Sequence, residues 1–471
     1  MKRFAQSRST RSLAILACVF ITGLAAYTSS SLLAQGSTPS LVYTQFDPLV
    51  VRSDRTDAVN FYAKIIGNPS RVILAFDQPV GAAELELRDD GMGNDLRSRD
   101  GIYSASIPAL QLTRGLQPDD VFKYFVGFLK VFQGSTRVTQ GNIFAEIITT
   151  DFPVEPVISR APDVQYTANL VNIVDPSFFA DSGFNIAHLT KQFYQLFGDD
   201  YDFIDIVIDP SYFQNRFHFT VKNNIQGIGV QLSDRTGDFG SSGKLLGITV
   251  FPNTTFFDGV SQGYQHELGH QWINYLSGTA LASGIPHWPL SSLASGIMGW
   301  SVPPTGEGGD FPCNLVQGSD GIRLVRRTET PVFTDLDLYL MGLLEPNEVR
   351  TQYVFPSQDI NTFNTIISQC NGQIYQGKLN KVTLDDVVHI VGPRNPTVEN
   401  SPHQFKIATI LVTPDKLLDA DAMAYYNWFA MRAELSERAA VHEGFSKENG
   451  NPFFISTKGL GTLDARIQPK P

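Results

Sequence analysis

Five consecutive residues, His266-Glu267-Leu268-Gly269-His270, carry the most specific chemical signal in the sequence. Histidines at positions i and i+4 of a helix share one face, so both imidazole rings point to the same place. Two neutral ring nitrogens that converge there can bind one Zn²⁺. Glu267 would lie beside the metal without ligating it, where its carboxylate can take a proton from zinc-bound water. The segment therefore predicts a catalytic zinc site, and the alternative is a surface helix with two solvated histidines.

This segment resembles the catalytic helix of the zincin superfamily of zinc metallopeptidases. The resemblance extends over the helix and strand pattern that precedes it from Ile158, and Gln271-Trp272 is similar to the continuation in some gluzincins. It implies a mixed sheet over an active-site cleft, with zinc at the cleft floor. It also implies a polypeptide substrate that binds as an extended strand along the edge of that sheet.

The chain departs from the zincin subfamilies at the third metal ligand. Gluzincins commonly carry a glutamate at the position that Pro289 or Leu290 occupies here. The metzincin pattern has a glycine and then a histidine where this chain has Ile273 and Leu276. Neither rule therefore supplies the ligand, and other residues have to be considered.

His287 is the first candidate for the third ligand. It lies in the predicted loop 284–289, and a neutral imidazole suits zinc. The segment 295–300 that follows resembles the methionine turn that lies under the metal of metzincins. The alternative is that His287 is an ordinary loop histidine next to Trp288.

Asp337 is the rival candidate. It lies in the segment 335–342, where a helix with an acid and a tyrosine would resemble the aspartate-ligated zincins. The alternative for Asp337 is that it caps the first turn of a short helix. Glu307 and Glu329 are further acids within reach, without a motif around them.

The elements that would position these residues follow an α+β order. Apolar spacing predicts a helix that carries the motif over Asp258–Leu276 and ends at Gly278. The other predicted elements of residues 155–471 are the helices Ile186–Phe197, Leu338–Leu344, Val382–Val391 and Ala420–Ala439 and the strands Ile204–Ile208, Leu246–Phe251 and Phe405–Val412.

Residues 41–150 have a different pattern, with short strands and a turn about every ten residues. This spacing predicts an immunoglobulin-like β-sandwich. Within it, the segment Arg88–Gly101 is dense in Asp, Asn and Gly and resembles a turn of bacterial immunoglobulin-like modules. Its oxygens could hold a structural Ca²⁺. The alternative, which the sequence favours, is two successive Asx turns.

The N-terminal segment has the features of an export signal. Residues 1–34 contain four basic residues, no acid, an apolar run at Leu13–Tyr27 and a small-residue edge at Ala34. Such a segment is typical of a secretory signal, and the alternative is a membrane anchor. Its removal would leave Cys313 and Cys370, which in an oxidising compartment predict one disulfide rather than two buried thiols.

Composition limits the choice of partners. The chain has 471 residues, of which 42% are hydrophobic, and a formal net charge of −11 that signal removal would lower to −15. Its length suits two or three domains. Its negative charge argues against nucleic-acid binding, because few basic groups are available to neutralise phosphates. After signal removal no membrane span is expected.

The sequence therefore predicts a multidomain chain, an all-β immunoglobulin-like sandwich followed by an α+β zincin-like catalytic domain. The boundaries are a signal peptide at 1–34, the sandwich at 41–150, the metallopeptidase core at 155–345 and a C-terminal subdomain at 346–471 that completes the catalytic unit. The expected function is that of a secreted or cell-surface zinc endopeptidase. The alternatives are a binding or assembly protein with a structural or degenerate zinc site, and a zinc hydrolase of a non-peptide bond.

Overall fold

The computed structural model describes residues 38–76, 84–113, 122–148, 150, 152–180, 184–210, 216–253, 263–273, 275–282, 287–437 and 451–471. The predicted signal segment 1–34 lies outside these residues, and so does the start of the predicted helix Asp258–Leu276. The protein is β-rich and multidomain, as the sequence predicts at that coarse level. Within the described part of the chain, no helix combines the length and apolar character needed to span a bilayer.

Eight strands in two sheets form the N-terminal region. Alternate residues of Ala58–Ile66 are buried, because successive side chains of a strand point to opposite faces. The elements are β1 (Ser40–Asp47), β2 (Val50–Arg52), β3 (Ala58–Ile66), β4 (Arg71–Phe76), β5 (Glu84–Leu87), β6 (Ile102–Pro108), α1 (Ala109–Leu112), β7 (Phe122–Gln133) and β8 (Thr136–Ile148). One sheet has the order β1-β3-β6 and the other β2-β8-β7-β4-β5. Phe61, Leu74 and Leu129 belong to their common core.

The next region alternates strands and helices up to the histidine motif. Its elements are β9 (Ile158–Ala161), β10 (Val164–Tyr166), β11 (Leu170–Val174), α2 (Ile186–Leu196), β12 (Phe203–Ile208), β13 (Phe217–Thr220), β14 (Lys222–Asn223), β15 (Ser233–Asp234), β16 (Gly247–Pro252) and α3 (Tyr264–Gly269). Two 3₁₀ turns, at Pro176–Phe179 and Thr236–Phe239, connect them. The motif therefore lies at the end of this α/β region.

Hairpins and short helices follow the motif. They are β17 (Trp300–Val302), β18 (Glu307–Gly309), β19 (Cys313–Gly318), β20 (Gly321–Arg326), α4 (Asp335–Met341), β21 (Gln352–Val354), α5 (Ile360–Ser368), β22 (Asn380–Val382) and α6 (Leu384–Val391). Further 3₁₀ turns are at Pro346–Glu348 and Val398–Asn400. The predicted disulfide is confirmed, since Cys313 and Cys370 are bonded with their Cα atoms 5.8 Å apart.

The C-terminal part returns to the large sheet. It contains β23 (Gln404–Thr413), α7 (Ala420–Met431), a 3₁₀ turn at Arg432–Glu434, α8 (Phe453–Ser456) and β24 (Thr462–Asp464). The eight-stranded sheet has the order β13-β16-β12-β23-β11-β10-β9, with β24 paired to β23. Strands β16, β12, β23 and β11 are parallel to one another, whereas β13 is antiparallel and lies at the edge. The sheet is therefore mixed.

The two faces of this sheet bury different helices. Phe203 and Val207 of β12 belong to the same core as Leu268 of α3. The alternate residues Ile204 and Ile206 belong to a second core with α2. The period of two along β12 thus places α3 on one face of the sheet and α2 on the other.

Two predicted helices are longer than the observed ones. The helix α3 ends at Gly269 rather than Leu276, and α7 ends at Met431 rather than Ala439. Glycine is a poor helix former, and beyond Gly269 the chain continues with short-range bonds such as His270 N–H to the Glu267 carbonyl (3.1 Å). After Met431 the chain tightens into the 3₁₀ turn, so apolar spacing alone overestimates both lengths.

Candidate metal centre

The helix α3 places the two motif histidines one turn apart. His266 lies within the helix, and His270 caps its C-terminus with φ −63° and ψ −10°, still close to helical values. The turn therefore continues through His270, and the two ring centroids are 4.8 Å apart. Gly269 makes this position of α3 possible, because a Cβ there would lie 2.6 Å from the Sδ of buried Met298.

His287 joins the two motif histidines from the segment beyond α3. One ring nitrogen of each of His266, His270 and His287 lies within 4.8 Å of the others. Nε2 of His266 and Nε2 of His287 are 3.1 Å apart. The structure thus brings together all three residues that the sequence analysis names as its zinc ligands.

The protonation of these rings shows what the cluster can hold. Nδ1 of His266 donates to the Ile297 carbonyl (2.9 Å) and Nδ1 of His287 donates to the Gly306 carbonyl (3.0 Å), because a carbonyl oxygen only accepts. A neutral ring with its proton on Nδ1 has a lone pair on Nε2. Burial, with smaller contributions from His287 and Arg216, lowers the pKa of His266 to about 3, so this ring is neutral at pH 7.

Nε2 of His266 and Nε2 of His287 are 3.1 Å apart, so a cation between them would contact both nitrogens. Two nitrogens that ligate one tetrahedral zinc at 2.0–2.1 Å are about 3.3 Å apart, close to the observed separation. His270 is 7% exposed, its Nδ1 has no hydrogen-bond partner in the described structure, and burial holds its pKa well below the usual range. The donor set therefore fits Zn²⁺.

Glu267 is buried and paired with a cation. It is 6% exposed, and Arg216 Nε donates to its Oε1 at 3.1 Å. Burial raises the pKa of Glu267 to about 7, and Arg216 opposes this rise. Arg216 precedes the edge strand β13, far from the motif in sequence, so no local pattern could have predicted this pair.

The loop of His287 is fixed by Asp337. Trp288, which follows His287, is buried and donates its indole N–H to Oδ1 of Asp337 at 2.9 Å. The other oxygen of Asp337 accepts the backbone N–H (2.7 Å) and the hydroxyl (2.8 Å) of Thr334, which form the capping box of α4. Asp337 therefore caps a helix and orients the loop. It does not belong to the cluster of His266, His270 and His287.

Among the described side chains, the acids Asp337 and Glu329 do not join the cluster. Burial, opposed by its hydrogen bonds, raises the pKa of Asp337 to about 6. Glu329 accepts a hydrogen bond from Thr328 at 2.9 Å. The side chain of Glu307 lies outside the described part of the structure. Of the four alternatives for the third ligand, the geometry groups His287 with the motif.

A row of polar residues crosses the sheet beneath α3. His218 pairs in register with Thr249, and Thr249 pairs with Asp205. His218 bonds Thr249 Oγ1 through Nδ1 and Gln271 Oε1 through Nε2, both at 3.1 Å. Asp205 is fully buried, and burial together with Glu267 raises its pKa well above the usual range. These residues lie under the site, and no local sequence pattern points to them.

A second cluster lies in the N-terminal region. Carboxylate oxygens of Asp89, Asp95 and Asp100 lie within 4.8 Å of one another. They already accept backbone N–H groups, as in Arg97 N–H to Asp95 (3.1 Å) and Ile102 N–H to Asp100 (2.8 Å). These bonds are those of Asx turns, the interpretation that the sequence favours, and the structural Ca²⁺ stays an alternative.

Comparisons with known proteins add little to this geometry. No protein-family model matches the chain, and no curated protein matches it. Cwp6 from Clostridium difficile is similar over 35% of this chain, with 12% identity and a TM-score of 0.14. The matched part is 25% of the Cwp6 chain. A similarity this weak carries no argument about fold or function.

Proposed function

We propose that the protein is a secreted zinc endopeptidase. The observation that carries this proposal is the convergence of His266, His270 and His287, in which Nε2 of His266 and Nε2 of His287 lie 3.1 Å apart. Zinc held by these three residues would polarise a scissile carbonyl and lower the pKa of a bound water toward 7. Three protein ligands leave one position open, as hydrolysis requires.

The protein's own groups supply the proton transfers. Glu267 follows the ligand His266 directly, and its buried carboxylate can accept a proton and return it to the leaving amine. Arg216 donates to Oε1 of this carboxylate at 3.1 Å and so helps to orient it. Asp337 and Trp288 hold the loop of His287 in place.

The finer fold assignment belongs to this proposal. The two N-terminal sheets support an immunoglobulin-like sandwich, and the mixed sheet with α3 on one face supports a zincin-like catalytic domain. The antiparallel strand β13 begins next to Arg216 and is the outer strand of the described sheet, so an extended polypeptide could pair there. The disulfide Cys313–Cys370 suits the oxidising compartment that a signal peptide implies.

A binding or assembly function is the second candidate. One observation favours it: Glu267 is paired with Arg216, and a paired carboxylate would also suit a structural zinc site. In that case the N-terminal sheets would carry the function and the histidines would only stabilise the fold.

The variants Glu267→Gln and His266→Ala distinguish these functions. Glu267→Gln should keep zinc and lose about 10²–10⁴-fold in hydrolysis of a casein-type substrate, because only the proton acceptor is removed. His266→Ala should lose both zinc and hydrolysis. Glu329→Gln, at an acid outside the cluster, is the matched control and should retain both. Equal hydrolysis by wild type and Glu267→Gln would refute the role of Glu267, and zinc without hydrolysis in the wild type would favour the binding function.

A further inference from the structure

The hairpin of β17 and β18 is attached to the His287 segment. The Gly306 carbonyl, between the two strands, accepts the Nδ1–H of His287 at 3.0 Å. On β17, Ser301 donates its hydroxyl to the His287 carbonyl (3.3 Å) and its backbone N–H to the Trp288 carbonyl (2.9 Å). The turn of the hairpin therefore binds the ring of His287 and β17 binds the backbone beside it, so the hairpin forms one wall of the histidine cluster.

Gly308 is where this wall comes nearest to the ligand nitrogens. A Cβ at this position would lie 2.8 Å from His287 Nε2 and 3.3 Å from His266 Cε1. The first distance is shorter than a normal contact between carbon and nitrogen. Gly308 is exposed, so the space that its missing side chain leaves beside Nε2 borders solvent.

We propose that Gly308 keeps the coordination space of this metal site open and so determines which ligands reach the metal. This inference rests on the metal site of the proposed function, but not on peptide hydrolysis. Zinc bound to Nε2 lies 2.0–2.1 Å from that nitrogen, so a carbon 2.8 Å from the same atom would intrude on the coordination sphere. Only a residue without a side chain leaves that space to a water or a carbonyl oxygen.

The neighbouring Gly309 provides a matched control on the same strand. Successive residues of a strand point to opposite faces. A Cβ at Gly309 would meet Val302 Cγ2 at 2.4 Å and Trp300 Nε1 at 2.7 Å, and none of its closest atoms belongs to a histidine. Gly308→Ala and Gly309→Ala therefore both disturb the hairpin, but only the first should place a methyl group against the metal.

The test is a zinc titration of the full chain by competition with a chelator, together with thermal unfolding of each variant. Gly308→Ala should bind zinc roughly ten- to a hundredfold more weakly than the wild type. Gly309→Ala should lower the unfolding temperature at least as much and keep nearly wild-type zinc affinity. Gly237→Ala, where a Cβ would meet nothing within 4 Å, should change neither quantity.

Two results would overturn the inference: unchanged zinc affinity in Gly308→Ala, or equal losses of affinity in Gly308→Ala and Gly309→Ala. A wild-type protein that binds no zinc would overturn it as well. A wild-type protein that binds zinc but cleaves no peptide would refute the proposed hydrolysis alone. The role of Gly308 would then still be decided by the difference in metal affinity.

Discussion

Asp337→Ala and His287→Ala should both weaken zinc binding, but for different reasons. His287→Ala removes a nitrogen ligand from the cluster. Asp337→Ala removes no ligand, but it frees the Trp288 indole and with it the segment that presents His287. We therefore expect His287→Ala to cause the larger loss of zinc affinity, with little effect on the stability of the metal-free protein.

The hydrogen bonds of Asp337 determine how much Asp337→Ala should destabilise the protein. Asp337 is fully buried and accepts one bond from Trp288 and two from Thr334. A buried indole N–H left without a partner costs about 1–3 kcal/mol. Loss of the capping box costs about 1 kcal/mol more. Asp337→Ala should therefore lower the free energy of unfolding by about 3 kcal/mol, and the displaced loop should weaken zinc binding about 10–100-fold.

Asp386 offers a close control for the capping contribution. It forms the same box with Thr383 in α6, accepting the backbone N–H at 2.8 Å and the hydroxyl at 2.7 Å. It is exposed and bonds no tryptophan. Asp386→Ala should therefore cost about 1 kcal/mol of stability and leave zinc affinity unchanged.

The assay measures zinc affinity by chelator competition and stability by urea unfolding of the metal-free protein. The reasoning would be refuted if Asp337→Ala bound zinc as tightly as Asp386→Ala. It would also be refuted if His287→Ala kept full affinity while Asp337→Ala lost all of it, because Asp337 would then be the ligand itself.

Two further predictions concern stability. Burial raises the pKa of Asp209 to about 7, whereas the unfolded chain releases this proton near pH 4. The contribution of Asp209 to stability is therefore complete below pH 4 and decreases by about 4 kcal/mol between pH 4 and pH 7. Asp209→Asn keeps an oxygen for the Asn253 amide (2.7 Å) and should flatten that decrease, as urea unfolding at pH 5 and pH 8 would show, and an unchanged pH dependence would contradict this assignment. Replacing Cys313 and Cys370 by alanine should cost about 4 kcal/mol by the chain-entropy model, because their 57-residue separation closes a long loop; a loss below 1 kcal/mol in denaturant unfolding would argue against that origin.

The local parts of the site could be predicted because they depend on spacing alone. His266 and His270 are one helical turn apart whatever surrounds them. His287 could be proposed from the chemistry of its side chain, although its rival Asp337 stayed open. The sequence could not predict the role of Asp337, because its bond to the indole of Trp288 joins distant parts of the chain.

Other parts depend on contacts that no local pattern contains. Arg216 reaches Glu267 across 51 residues, and Gly308 matters only because of the atoms opposite it. The end of α3 also depends on distant contacts. Just beyond it, the side chain of Gln271 bonds His218 and the Lys222 carbonyl. Apolar periodicity can predict that a helix forms, but not where tertiary contacts end it.

The order of strands explains why the site needs most of the chain. Strand β23 comes from the C-terminal part of the chain, after the motif. It lies between β12 and β11, which both precede the motif. Phe405 of β23 contacts Phe203 of β12 and Trp272 just after α3, with ring centroids 6.0 and 5.5 Å apart. The face of the sheet on which α3 rests is thus completed only when β23 is inserted. The histidine cluster, whose members lie within a short stretch of sequence, therefore depends for its geometry on a strand more than a hundred residues further along.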